Sequence, residues 1–193
     1  MKHNKNNNKG FTLIELLVVI AIIAVLSIVV ILTLNPAELL KQARDSNRIS
    51  DLNTMKSAIS LYLADVSTVN LGTASKCYFG VITTTTCATW MTTQSATQTT
   101  AIATARSVSG NGWIPVAFTN ISSGAPIGSE PLDPTNTGNL FYSYMATSSP
   151  STTFKLAAKT ESVKYSASGT SDVESTDGGK DNSTYETGTE ITM

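Results

Sequence analysis

Gly10-Phe11-Thr12-Leu13-Ile14-Glu15 opens an apolar run that continues to Leu34 and decides how the rest of the chain is read. From Leu16 to Leu34 every residue is apolar except Ser27 and Thr33. As a helix, Phe11 to Leu34 is roughly 36 Å long, enough to cross a bilayer. The run holds one carboxylate, Glu15, near its start. An acid inside a membrane costs about 2.5–3.5 kcal/mol at depth and less near the interface, so Glu15 calls for a partner.

Upstream, Met1 to Gly10 is short, Asn-rich and basic, with Lys2, Lys5 and Lys9. Lysines on the amino side of a span, with none after it until Lys41, orient the amino end inside. A secretory signal places small residues after its apolar stretch, whereas here the small residue Gly10 precedes it. Cutting after Gly10 therefore removes the basic leader and leaves the span attached. It also removes three of the 13 basic residues while all 14 acidic ones stay, so the processed chain is acidic. No cluster of Lys and Arg follows Lys56, which argues against a direct nucleic-acid site.

Lys9-Gly10-Phe11-Thr12-Leu13-Ile14-Glu15-Leu16-Leu17-Val18-Val19-Ile20 resembles the cleavage and methylation motif of type IV prepilins and type II secretion pseudopilins. The resemblance implies that a prepilin peptidase cuts between Gly10 and Phe11 and that the new amino group of Phe11 is methylated. It further implies a homo-oligomeric helical filament, built at an inner-membrane assembly platform with its ATPase. Phe11 and Glu15 are then the assembly residues, with the Glu15 carboxylate neutralising the amino terminus of a neighbouring subunit. Opposite charges in an apolar bundle attract strongly, and either one alone carries a desolvation penalty of several kcal/mol. The alternative is an intrachain pair between Glu15 and the Phe11 amine, one helical turn apart.

After the span, Asn35-Pro36-Ala37-Glu38 reads as a helix start with Asn35 as the cap and Pro36 in the first turn. Leu40, Ala43, Ile49, Leu52, Met55, Ile59, Leu63 and Val66 recur at helical spacing and predict an amphipathic helix over 35–66. Lys41, Arg44, Asp45, Arg48, Asp51 and Lys56 form its polar side, expected to be solvated or to face other subunits.

Residues 67–112 read as a Thr-rich loop. Cys77 and Cys87 bracket a short hairpin, and a disulfide closing it contributes about 3 kcal/mol. Two cysteines without a nearby histidine do not suggest a metal site. An antiparallel sheet is expected over 113–167. Its strands are Trp113 to Phe118, Leu140 to Met145 and Phe154 to Lys159, with Phe154, Leu156 and Ala158 facing inward. Pro131-Leu132-Asp133-Pro134 and the following Leu140-Phe141-Tyr142-Ser143-Tyr144 are similar to a segment of major pseudopilins, although Thr135-Asn136 stands where that family continues with Trp-Gly.

Residues 168–193 read as an acidic tail. By the same resemblance Asp172, Glu174, Asp177 and Asp181 are candidate calcium ligands, oxygen donors suited to a hard cation. No other cofactor is expected. The only histidine, His3, lies in the leader, and no nucleophile elbow or phosphate loop occurs, so no catalytic residues are assigned.

The expected architecture is α+β, a long N-terminal helix packed on a small antiparallel sheet. The expected role is that of a structural, non-enzymatic subunit of a type IV pilus-like filament. It is held in the inner membrane as a precursor, and outside the cell or in the periplasm once assembled. A pseudopilin of a secretion or DNA-uptake machine, or a single-pass anchored binding module, are the alternatives.

Overall fold

A computed structural model describes residues 10–74, 76–80, 97–98, 105–147 and 152–192. The chain divides into two units, Met1–Leu39 and Leu40–Met193. The fold class is α+β, as expected.

In the first unit, Thr12 is itself extended (φ −82°, ψ 151°) and caps α1, Leu13–Leu34. The Thr12 hydroxyl accepts from Glu15 N at 3.3 Å while the Glu15 carboxylate accepts from Thr12 N at 2.8 Å, a reciprocal capping box. Within α1, Ser27 Oγ donates to Ile23 O at 2.7 Å and Thr33 Oγ1 donates to Val29 O at 3.0 Å. Both hydroxyls inside the apolar helix are thereby satisfied by its own backbone. Asn35 takes the left-handed conformation (φ 39°) and ends α1. The same residue starts α2, Pro36–Asp65, by accepting from Glu38 N on its carbonyl at 2.9 Å and on Oδ1 at 3.4 Å. Asn35 thus caps as expected, and Pro36, which has no N–H to satisfy, fits the first turn.

In the second unit, α2 buries Asp45, Arg48, Leu52, Met55, Ala58, Ile59 and Tyr62. Of the expected stripe, Leu52, Met55 and Ile59 are in the core, whereas Leu40 is 62% exposed. The buried face runs at spacings of three and four from position 45 to position 62, so its first two members are charged. That corrects the reading of Asp45 and Arg48 as surface residues.

The sheet has the order β2-β1-β3-β4-β5. Its strands are β1 Lys76–Phe79, β2 Thr97–Gln98, β3 Tyr142–Ala146, β4 Phe154–Ala158 and β5 Tyr185–Gly188. Four of them, β1, β3, β4 and β5, pair antiparallel, and β2 runs parallel to β1. The β3–β4 register sets Tyr144 opposite Leu156, and Phe154, Leu156 and Ala158 join the core shared with α2, as the alternation predicts. Every residue of β3 and β4 is buried, so the second face of the sheet, carrying Ser143, Met145, Lys155 and Ala157, is covered too.

Three expectations about the sheet differ from the structure, and the first is that residues 67–112, read as a loop, supply β1 and β2. Residues 113–117 form no strand; Ala117 makes a single bridge to Ser109, and a 3-10 turn, Phe118–Asn120, follows. Pro115 lacks the N–H a ladder needs, and the segment packs as core instead, with Trp113, Ile114, Val116 and Phe118 fully buried. Conversely, the acidic stretch expected as a tail supplies β5, and Asp177 Oδ2 accepts the Glu186 N–H of that edge strand at 2.6 Å.

Candidate functional site

The motif residues come together at the head of α1. Gly10 and Phe11 precede the helix in exposed, irregular backbone, Phe11 being 94% exposed, so the Gly10–Phe11 peptide bond is open to attack. Glu15 Oε2 accepts from both Thr12 N and Thr12 Oγ1, each at 2.8 Å. In the chain carrying its leader, therefore, the intrachain partner of Glu15 is Thr12. The Phe11 nitrogen is a peptide nitrogen there, and carries no charge for a carboxylate to neutralise.

Behind the motif, α1 is apolar all round, and its large side chains are exposed on every side, from Leu13 at 82% to Val18 at 48%. Such a helix is at home only in lipid or against other apolar surfaces. Leu13–Ile31 is long and apolar enough to anchor a precursor in a membrane. Its backbone groups bond within the helix, and the Glu15 carboxylate adds a polar point to a hollow otherwise lined by Phe11, Ile14, Leu16, Val18 and Val19.

The other sequence-derived site residues lie apart from this head. Cys77 is buried in β1; its expected disulfide partner Cys87 lies outside the described residues. The four calcium candidates do not converge, and among the described residues no three His, Cys, Asp or Glu side chains group to hold a metal. Asp172 accepts from Ser168 N, Glu174 N and Ser175 N. Glu174 is buried against Thr160 N and Oγ1 at 3.0 and 2.7 Å. Asp177 serves Gly179 N and Glu186 N, while Asp181 serves Ser183 N and Oγ. Asp172 and Asp181 each close a local turn, while Glu174 and Asp177 tie the acidic stretch to Thr160 and to β5, so the stretch is a folded segment.

The sequence reading missed the charged residues that the second unit buries. Arg48 is 1% exposed and is gripped by Asp133 through Nε at 2.6 Å and Nη2 at 2.8 Å. Its Nη1 meets Asp45 at 2.7 Å and its Nη2 meets Glu161 at 2.6 Å. Arg44 adds a two-point contact to Glu161, at 2.9 and 2.7 Å. The Arg44 and Arg48 guanidiniums hold the Glu161 carboxyl down to about 2. Asp45 in turn accepts from Glu161 N and Ser162 N, so this cluster stitches α2 to the loops at 133–135 and 161–162. The Pro131-Leu132-Asp133-Pro134 segment was the only signal in the sequence, and it did not name a partner.

Glu130 is also buried, with Oε2 accepting from Ile114 N at 3.1 Å and, among the described residues, no cation paired with it; burial pushes its carboxyl up to about 8. Its carboxylate packs directly on Gly112, where any side chain would collide with it. Lys155, on the second sheet face, meets Glu186 of β5 in a buried ion pair.

Residues 5–31 match the family described as the prokaryotic N-terminal methylation motif. No curated protein and no solved structure matches the chain. The matched segment covers Gly10, Phe11, Glu15 and α1 as far as Ile31. This motif, carried on exposed Gly10–Phe11 backbone, a capped acid and an apolar helix, supports a type IV pilin-like or pseudopilin precursor.

Proposed function

We propose that the chain is a non-enzymatic structural subunit of a type IV pilus-like filament. A prepilin peptidase cuts after Gly10, Phe11 is N-methylated, and subunits polymerise through α1 at an inner-membrane platform driven by its ATPase. The observation that carries this reading is α1 itself, apolar on every side and headed by the processing motif. In the membrane its side chains face lipid; in a filament they bury against copies of the same helix, so transfer between the two is close to balanced and the ATPase supplies direction. After cleavage the Phe11 ammonium of one subunit competes with Thr12 for the Glu15 carboxylate of another. A Cys77–Cys87 disulfide suits the oxidising side of the membrane to which the second unit would be exported.

Mass spectrometry of the mature amino terminus tests the proposal. A chain beginning with methylated Phe11 is the expected result, and an intact Met1 in a peptidase-competent host overturns it. The pseudopilin reading draws on the Pro131-Leu132-Asp133-Pro134 segment. Abundant long filaments containing this chain, seen by electron microscopy and immunolabelling, decide for the pilus.

A further inference from the structure

Lys155 and Glu186 sit on neighbouring antiparallel strands. Lys155 lies directly opposite Gly188, whose missing side chain leaves the ammonium free to lean diagonally onto Glu186, two residues back along β5. Gly188 has no room for more, because a Cβ there would fall 2.1 Å from Phe154 O. Both side chains are sealed from water, Lys155 at 1% exposure and Glu186 at 0%, with Nζ in contact with Oε1.

The other carboxylate oxygen has a different environment. Glu186 Oε2 accepts from the backbone N–H of Lys180 at 2.6 Å and of Asp181 at 3.3 Å, two donors from one turn aimed at a single oxygen. The turn closes over it at Gly179, where a Cβ would lie 1.7 Å from Oε2 and 3.0 Å from Asp177 Oδ1. A second carboxyl, Asp177, therefore stands beside Glu186, bonded to its N–H and within the field of Lys155. Burial pushes both carboxyls up. An amine, a carboxyl facing it, two donors on the oxygen that would carry negative charge and a neighbouring acid are the parts of an acyl-transfer site.

We propose that Lys155 and Glu186 become joined by an isopeptide bond that the folded chain forms unaided. Lys155 Nζ, after giving up a proton, attacks Glu186 Cδ. The Lys180 and Asp181 amides hold the developing oxyanion on Oε2, and protons pass from nitrogen directly to Oε1, which Nζ touches. The Nζ–Cδ bond forms and the Cδ–Oε1 bond breaks. Of the three ammonium protons, two leave with Oε1 as water and one stays on the amide nitrogen. No oxidant, reductant or cofactor enters. The product replaces two buried charges, each carrying a desolvation penalty, with one neutral amide, and the expelled water leaves a site that excludes it. The bond ties edge strand β5 covalently to β4.

Intact-mass measurement on the full chain tests this, followed by tryptic mapping. The expected result is a chain one water lighter than its sequence requires, after its processing and disulfide state are accounted for, and a branched peptide linking Lys155 to Glu186 with no cleavage after Lys155. Lys155→Arg keeps a cation against Glu186 but is expected to restore the full mass. A wild-type chain of full mass that trypsin cuts after Lys155 overturns the proposal, as does a water loss that maps to any other pair of residues.

Discussion

Helix α1 carries its apolar side chains on the outside, and the Leu40–Met193 unit carries charged ones on the inside. Leu16 is 61% exposed, while Arg48, Lys155 and Glu186 are 1% exposed and Glu130 and Asp45 wholly buried. Both arrangements invert the usual distribution, for different reasons. The helix exposes its apolar side chains all round, so its surface suits lipid or other apolar surfaces. The folded unit has too few apolar side chains on the amino-terminal half of α2 to close its core there, and closes it with ion pairs instead. One region is thus read by what must come to it, the other by what it has already gathered.

The sharpest way to break this contrast is at Glu15. Glu15→Ala is expected to abolish filament formation in cells that make the variant at normal levels, scored by electron microscopy and sheared-fraction immunoblots. The thermal midpoint of the folded unit, followed in the full chain in detergent, should not move. Normal filaments from that variant would remove the intersubunit role of the acid.

Arg48→Ala tests the other half. It leaves Asp45 and Asp133 buried without their cation, and should lower stability by about 3–5 kcal/mol in urea titrations of the full chain. A loss below 1 kcal/mol would mean that the cluster is solvated.

A matched pair of leucines sharpens the comparison further. Leu52→Ala, in the core, should cost about 2–5 kcal/mol. Leu16→Ala, on the exposed helix, should leave the unfolding of the second unit within about 0.5 kcal/mol of the parent.

The last test is graded with pH. Glu130 keeps its proton in the fold up to about pH 8 but loses it near 4.5 when unfolded. The folded state binds the extra proton between those values. Its contribution is full below pH 4.5 and declines toward pH 8, by about 1.4 kcal/mol per pH unit. Glu161, held at about 2, acts with the opposite sign, contributing fully above pH 4.5 and losing that contribution as pH falls toward 2. Glu130→Gln should flatten the alkaline limb of a stability profile and leave the acid limb intact. An unchanged alkaline limb would show that Glu130 is ionised in the fold.

Much of this molecule is legible along the chain because the governing signals are local. The Gly10-to-Glu15 motif, the apolar run, the Asn35-Pro36 helix restart and the β3–β4 alternation each depend on residues a few positions apart. Local rules misread residues 113–117, where Pro115 and a buried Trp113 make core without a strand. They also misread residues 168–192, where acidic side chains engaged with turn amides looked like a solvated tail. In the first place the deciding partner is distant in sequence, Pro131 for the Trp113 indole; in the second the turns are local, and it is the pairing of β5 with β4 that lies beyond short-range rules.

By itself the sequence determined the N-terminal helix, its processing motif, the lone acid within it and the α+β class, since these follow from composition and short-range spacing. Only the tertiary structure decided which charges are buried and with whom. Arg48 acquires its meaning from Asp133 and Glu161, 85 and 113 positions away, and Lys155 from Glu186 across a strand pair. The physical reason is that desolvation sets the strength of a charge pair, and desolvation exists only once the chain has closed around it.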